Sequence, residues 1–269
     1  MLRHTYLSLA ILAFTVAEAL SAQEIIDISG RQYLLDCAGQ PSGPVVILLP
    51  GGDGSIESWQ KVQDSVARFT RACSYEPAGS AQRGDPGRRQ TMDQMADDLD
   101  RVLSRTVGPT PVVLVGHNAG GVLARRFAAR FPGRVAAFVF VDSSHEEQMW
   151  RFAEIAPNLI THVFGPDWNA AAVLGPMGLL PRGQRSSWHT DRPMMVLEHG
   201  TPDPVPPGVT LTPVQASQLE TTWHVMQKDL AARSPKGQLK TALGVGTLIH
   251  RQSPALVVTA IRDILRTSR

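Results

Sequence analysis

The sequence predicts an α/β fold, with a mostly parallel central sheet flanked by helices, in a single domain from residue 23 to residue 269. Three observations carry that expectation. The continuous apolar runs PVVILL (44–49), PVVLV (111–115) and VAAFVFV (135–141) have the composition of strands buried on both faces. Stretches of helical period fall between such runs, and that alternation is the signature of parallel βαβ units. Residues 111–131 pass from a strand through Gly116, Gly120 and Gly121 directly into a helix that ends before Pro132. With 269 residues, 43% of them apolar, the chain is long enough for one large core and short for two. A net charge of +2 with Lys and Arg scattered leaves no basic stripe, which argues against a nucleic-acid partner.

Taken in order, residues 1–22 have the layout of a secretory signal peptide. Arg3 and His4 precede a twelve-residue apolar run at 6–17, and small residues follow, with cleavage expected after Ala19 or Ala22. A membrane span needs about 20 apolar residues, so no stable membrane insertion is expected, and the mature protein should be exported to the periplasm or secreted. That compartment permits a disulfide, and Cys37 and Cys73 are the expected pair. Residues 24–28 and 31–37 read as an antiparallel hairpin around Ser29-Gly30, 44–49 as a buried strand, 57–69 as a helix and 72–76 as a strand. Residues 78–89 read as a surface loop, and 91–107 as a helix started by Thr91 with Met92, Met95, Leu99, Val102 and Leu103 on one side. After the strand at 135–141, residues 146–192 are rich in Trp, Phe, Leu and Met and broken by four prolines. That is too long for a plain connection, and it reads as a lid. Strands at 194–197 and 238–245 and helices at 214–233 and 254–266 complete the chain, with a proline-rich loop at 200–213.

Five motifs together resemble those of α/β-hydrolases, and more closely an exported bacterial esterase-like branch of that family. They are PGGDGSIESW (50–59), CSYEPAG (73–79), VLVGHNAGGVLARRFAARFPGRV (113–135), FVFVDSSHEEQ (138–148) and GTLIHRQSPALVVTAI (246–261). The resemblance implies a nucleophile elbow, G-x-S-x-G, at residues 116–120, where the central place is held by Asn118. Asn suits the turn, since its short amide tolerates left-handed backbone conformations. It does not suit the chemistry, because a carboxamide is a poor nucleophile. The resemblance further implies backbone oxyanion donors at Gly52 and Ala119, and an acid in Gly200-Thr201-Pro202-Asp203 for which Asp203 is the candidate and Asp142, Glu198 and Glu220 are rivals. The family's catalytic histidine aligns with Thr247, while His250 matches a second, non-catalytic histidine and is the alternative base. His145, beside Ser143 and Ser144, makes a poor substitute because neighbouring side chains on an extended segment point apart.

Losing Ser or His from a triad costs on the order of a millionfold in rate. The expected function is therefore a non-hydrolytic protein that binds a small apolar or acyl ligand, with no cofactor, no metal and a monomeric state. Two alternatives stand beside it: a weak or atypical carboxylic-ester hydrolase, and a structural or partner-binding protein that uses the lid surface. Deamidation of Asn118 to an aspartate nucleophile is a variant of the enzyme reading, and Thr247 would still leave it without a base.

Overall fold

The computed structural model describes residues 22–52, 55–79 and 90–268. Residues 1–21 of the expected signal peptide, nearly all of the loop at 78–89, and Asp53-Gly54 lie outside the described residues. The chain runs β1 (Ala22–Ile28), β2 (Arg31–Ala38), β3 (Val46–Leu49), a 3-10 turn (Glu57–Trp59), α1 (Gln60–Val66), β4 (Ala72–Glu76) and α2 (Met92–Thr106). It continues with β5 (Val112–Asn118), α3 (Ala119–Arg130), β6 (Val135–Ser143), α4 (Gln148–Ile155), α5 (Pro157–Phe164), α6 (Ala171–Leu174) and β7 (Met194–His199). Last come α7 (Pro213–Ala232), β8 (Gly237–Ala242), α8 (Ile249–Gln252) and α9 (Pro254–Thr267).

The eight strands form one sheet in the order β1-β2-β4-β3-β5-β6-β7-β8. The pairs β1/β2 and β2/β4 are antiparallel, and every pairing from β4 through β3 to β8 is parallel. The apolar runs behave as strands covered on both sides. In β3, Ile47 and Leu49 face the layer containing α2 and α3, while Val46 and Leu48 face the layer containing α1 and α9. Cys37 and Cys73 are direct register partners on β2 and β4 and are joined by a disulfide. Closing a loop of 36 residues stabilises the fold by about 4 kcal/mol on the chain-entropy account, and it ties the antiparallel edge to the parallel core.

Local signals explain most boundaries. Thr91 caps α2 in a reciprocal capping box with Gln94, and Thr212 does the same for α7 with Gln215. The helix expected over 57–69 is shorter: a 3-10 turn leads into α1, which ends at Val66. The strand expected over 238–245 stops at Ala242, because Gly244 takes a φ of 72° and turns the chain.

The segment 146–192 divides in two. Its first part, α4 to α6, has a small core of its own built on Met149, Ile160, Leu174 and Leu179. Its second part returns to the main body, where Trp188 meets Phe138 and Phe140 edge-on at 5.5 and 6.4 Å between ring centres. The root of the segment is fixed by charge. Arg125 on α3, 1% exposed, donates to Glu146 (2.6 Å), the Ser143 hydroxyl (2.9 Å) and the Ser144 carbonyl (2.6 Å). Arg233 reaches the same Glu146 carboxylate at 3.0 Å.

Candidate functional site

β5 delivers Asn118 to the carboxyl edge of the sheet with φ 48° and ψ −118°, and α3 begins at the next residue. Strain of this kind costs about 1–3 kcal/mol. Burial of the β5 side chains Val112 to Val115, each worth about 1.5–3 kcal/mol, outweighs it. The turn is tight because it lacks side chains where backbones meet: a Cβ on Gly120 would lie 2.4 Å from the Leu49 carbonyl oxygen. This close approach draws the loop after β3 onto the start of α3. A Cβ on Gly51 would consequently lie 3.2 Å from Cβ of Asn118. Gly52, the other expected oxyanion donor, follows it in that loop.

The Asn118 side chain folds back on its own helix. Its Oδ1 accepts the Ala119 amide at 2.8 Å and the Ser144 hydroxyl at 3.2 Å. The amide expected to stabilise an oxyanion therefore already has an acceptor.

Asn118, Thr247 and Asp203 line one cavity of about 440 Å³, and Asp203 Oδ1 accepts the Thr247 amide at 3.2 Å. His250 lies elsewhere. α8 winds it inward, 1% exposed, where its ring packs at a tilt against Trp59 and His117, 4.5 and 4.4 Å between ring centres, and it does not line the cavity. Burial, reinforced by His117 and Arg251, pushes its imidazole down to about 3. Glu198 is turned away and holds His224 and Thr241. The side chains of Ser143, Ser144 and His145 go to different partners, with His145 accepting the Glu147 amide and facing Asp229 at 3.0 Å.

One cluster does not stand out in the sequence. Asp142, at the end of β6 with a φ of 43°, accepts the His199 amide (3.0 Å), the His199 Nδ1 (2.9 Å) and the Trp223 indole N–H (3.0 Å). His199 ends β7, and its Nε2 meets Glu220 of α7 at 3.0 Å. Both ring nitrogens face carboxylate oxygens, so both must carry hydrogen and the ring is an imidazolium. Burial alone would lower its pKa, but the hydrogen bonds it donates to Asp142 and Glu220 outweigh that and hold it at about 10. The available sequence signal was position: Asp142 and His199 both sit at the carboxyl ends of parallel strands, where open α/β sheets place their sites.

The cavity is also lined by Gln148, Phe152 and Leu159 from the segment 146–192, by residues 202–206 and Leu211 of the proline-rich loop, and by Leu219, Glu220 and Trp223 of α7. Among the described residues no group of His, Cys, Asp and Glu is arranged to hold a metal ion. No described helix is long and apolar enough to cross a membrane.

The two shifted histidines set opposite limits on stability. The His199 pKa is raised from an ordinary 6.5, so its contribution is complete below pH 6.5 and is lost as pH rises through about 10. The His250 pKa is depressed, so its contribution is complete above pH 6.5 and is lost as pH falls toward 3. Urea unfolding from pH 3 to 10.5 should show a maximum near pH 6.5, with an alkaline decline on the order of 2 kcal/mol that His199→Gln flattens. An unchanged alkaline limb in that variant would contradict the imidazolium assignment.

The strand order, the elbow and the ring of functional positions at the carboxyl edge define an α/β-hydrolase type of fold. A sequence profile for the alpha/beta hydrolase fold matches residues 44–164. Among solved structures, a thermophilic esterase from Thermogutta terrifontis superposes with a TM-score of 0.61 at 19% identity, covering 93% of this chain and 99% of that one. A probable hydrolytic enzyme from Pseudomonas aeruginosa superposes with a TM-score of 0.62 at 17% identity, covering 94% and 96%. The protein has the α/β-hydrolase fold, and its residues 44–164 match that fold's family profile. Proline iminopeptidase PfmaB of Pestalotiopsis fici is 28% identical over 131 residues, which is 46% of this chain and 46% of that protein. The chain thus spans less than half the length of that relative.

Proposed function

We propose that this protein is a non-hydrolytic member of its family, exported from the cytoplasm, that holds a small apolar or acyl ligand in the cavity above Asn118. In this reading α4 and α5 act as part of a lid. The observation that carries it is Asn118 itself. A carboxamide stands at the elbow, and its own oxygen occupies the Ala119 amide that acyl transfer would need for the oxyanion. Thr247, beside Asp203, offers no imidazole. His199 is saturated by two carboxylates and carries its proton through neutral pH, so it has no lone pair to act as a base. The disulfide and the signal-like residues 1–22 support the export part of the reading.

The hydrolase names borne by similar proteins favour a second reading, a residual ester hydrolase. One assay decides between them. Purified protein incubated with p-nitrophenyl acetate and butyrate should release nitrophenol no faster than about ten-thousandfold over water, the level left by binding and backbone donors alone. Turnover at ordinary enzymatic rates, on the order of 10 per second, would sink the non-hydrolytic reading.

A further inference from the structure

We propose that Glu220 fills, from within the chain, a carboxylate-binding position whose donor is the Nε2–H of His199, and that an apolar ligand bearing a free carboxylate takes its place. This deepens the proposed function and rests on it: among apolar and acyl ligands it selects the free acid.

The imidazolium is held unequally on its two sides. On the Nδ1 side, the Asp142 side chain is 1% exposed and accepts the His199 amide, the ring N–H and the Trp223 indole N–H. Trp223 also stacks on the ring, 5.7 Å between centres and 13° from parallel. That side gives way only if the whole set of interior bonds breaks. On the Nε2 side stands Glu220, with its side chain 38% exposed. Its bond to His199 at 3.0 Å is its one hydrogen bond or ion pair among the described residues. Turning Glu220 into water therefore gives up a single bond and returns rotamer freedom to a long side chain. Asp142 is the fixed partner and Glu220 the exchangeable one.

When Glu220 turns away, it leaves a charged N–H donor on a side chain that is 9% exposed, in a cavity whose lining carries no lysine or arginine. Such a donor is costly to leave unpaired, and it pairs most strongly with an anionic oxygen. A ligand carboxylate restores the resting arrangement of one imidazolium between two carboxylates. An alcohol oxygen gives a bond about half as strong. Phe152, Leu159, Val205, Leu211 and Leu219 line the same cavity and supply apolar surface for the body of the acid. Asp203 repels the incoming charge, but it is exposed, so water and salt weaken that repulsion. Glu220, tethered beside the ring, competes at an effective concentration on the order of millimolar or more, which keeps the wild-type affinity for a free acid low.

The test titrates two probes of matched shape, 4-phenylbutyrate and 4-phenylbutanol, calorimetrically into the purified protein at pH 7 and low salt, with each variant first shown to be folded by circular dichroism. Glu220→Ala should tighten butyrate binding about tenfold or more and change butanol binding by no more than about twofold. Asp203→Asn removes a like charge from the same cavity without touching His199, and it should tighten butyrate by less than about threefold. Adding His199→Gln to Glu220→Ala should abolish the gain. A second measurement stands apart from that variant: the His199 Nε2–H proton resonance of Glu220→Ala should move when butyrate is added and stay in place with butanol. Equal gains from Glu220→Ala and Asp203→Asn would reduce the effect to general charge relief and overturn the exchange at His199. No gain in Glu220→Ala while butanol binds would overturn the exchange and leave the ligand-binding reading standing. If neither probe binds any variant at millimolar concentration, both readings fail together.

Discussion

Asn118→Ser combined with Thr247→His is expected to raise hydrolysis of p-nitrophenyl butyrate by at least about a thousandfold over the wild type, with neither single change doing much. The non-additivity is the point of the experiment, since nucleophile and base act as a unit and restoring one leaves the other limiting. Removing the carboxamide frees the Ala119 amide, which now bonds to Asn118 Oδ1. On the proposal that Asp203 is the orienting acid, it already accepts the backbone amide of residue 247, close to an imidazole placed there. A cost accompanies the gain: at a φ of 48°, Ser tolerates the backbone less well than Asn, and we expect a loss of about 1 kcal/mol in stability. If Asn118→Ser alone matched the double variant, a base other than residue 247 would be serving the site. If His250→Ala abolished a real wild-type activity, the assignment of Thr247 to the base position would be wrong.

The second large effect is structural. Arg125→Met should destabilise the protein by about 3–5 kcal/mol in urea unfolding, because it strips a buried guanidinium from three acceptors at once. Burial alone would raise the Glu146 carboxyl, yet Arg125, Arg233 and His145 together hold it at about 2, so this carboxylate depends on its partners. Adding Glu146→Gln to Arg125→Met should recover part of the loss by removing the charge that Arg125 had balanced. A loss below about 1 kcal/mol for the single variant would mean that water or Arg233 replaces Arg125 without penalty.

Much of the architecture was legible because it rests on local chemistry. The apolar runs 44–49, 111–115 and 135–141 locate the central strands, Thr91 with Gln94 locates the start of α2, and the pairing of Cys37 with Cys73 follows from compartment and strand order. The elbow was legible for the same reason, since its glycines are close together in the chain. What stayed hidden depends on distant partners. Asp142 and Glu220 could be named as acids, but nothing local joins them through His199, which lies 57 residues from Asp142. The fate of His250 likewise depends on Trp59 and His117, which belong to other elements. The segment 146–192 looked uniform in composition, yet Trp188 serves the main core while Phe152 serves the cavity, a division set by where the chain turns back.

The crowding at Gly120 has a consequence for how such chains drift. A side chain there would meet the Leu49 and Pro50 carbonyls at 2.4 and 2.5 Å, so the glycine is demanded by the architecture whether or not any reaction is carried out. The residue between the glycines is under no such demand, provided that it accepts the backbone conformation. A lineage relieved of selection for turnover can exchange its nucleophile for an amide in one step and still keep the outline of the motif. The glycine frame is therefore a mark of the turn and not of a reaction, and on the reading proposed above the chemistry has to be sought in the side chains at 118, 203 and 247.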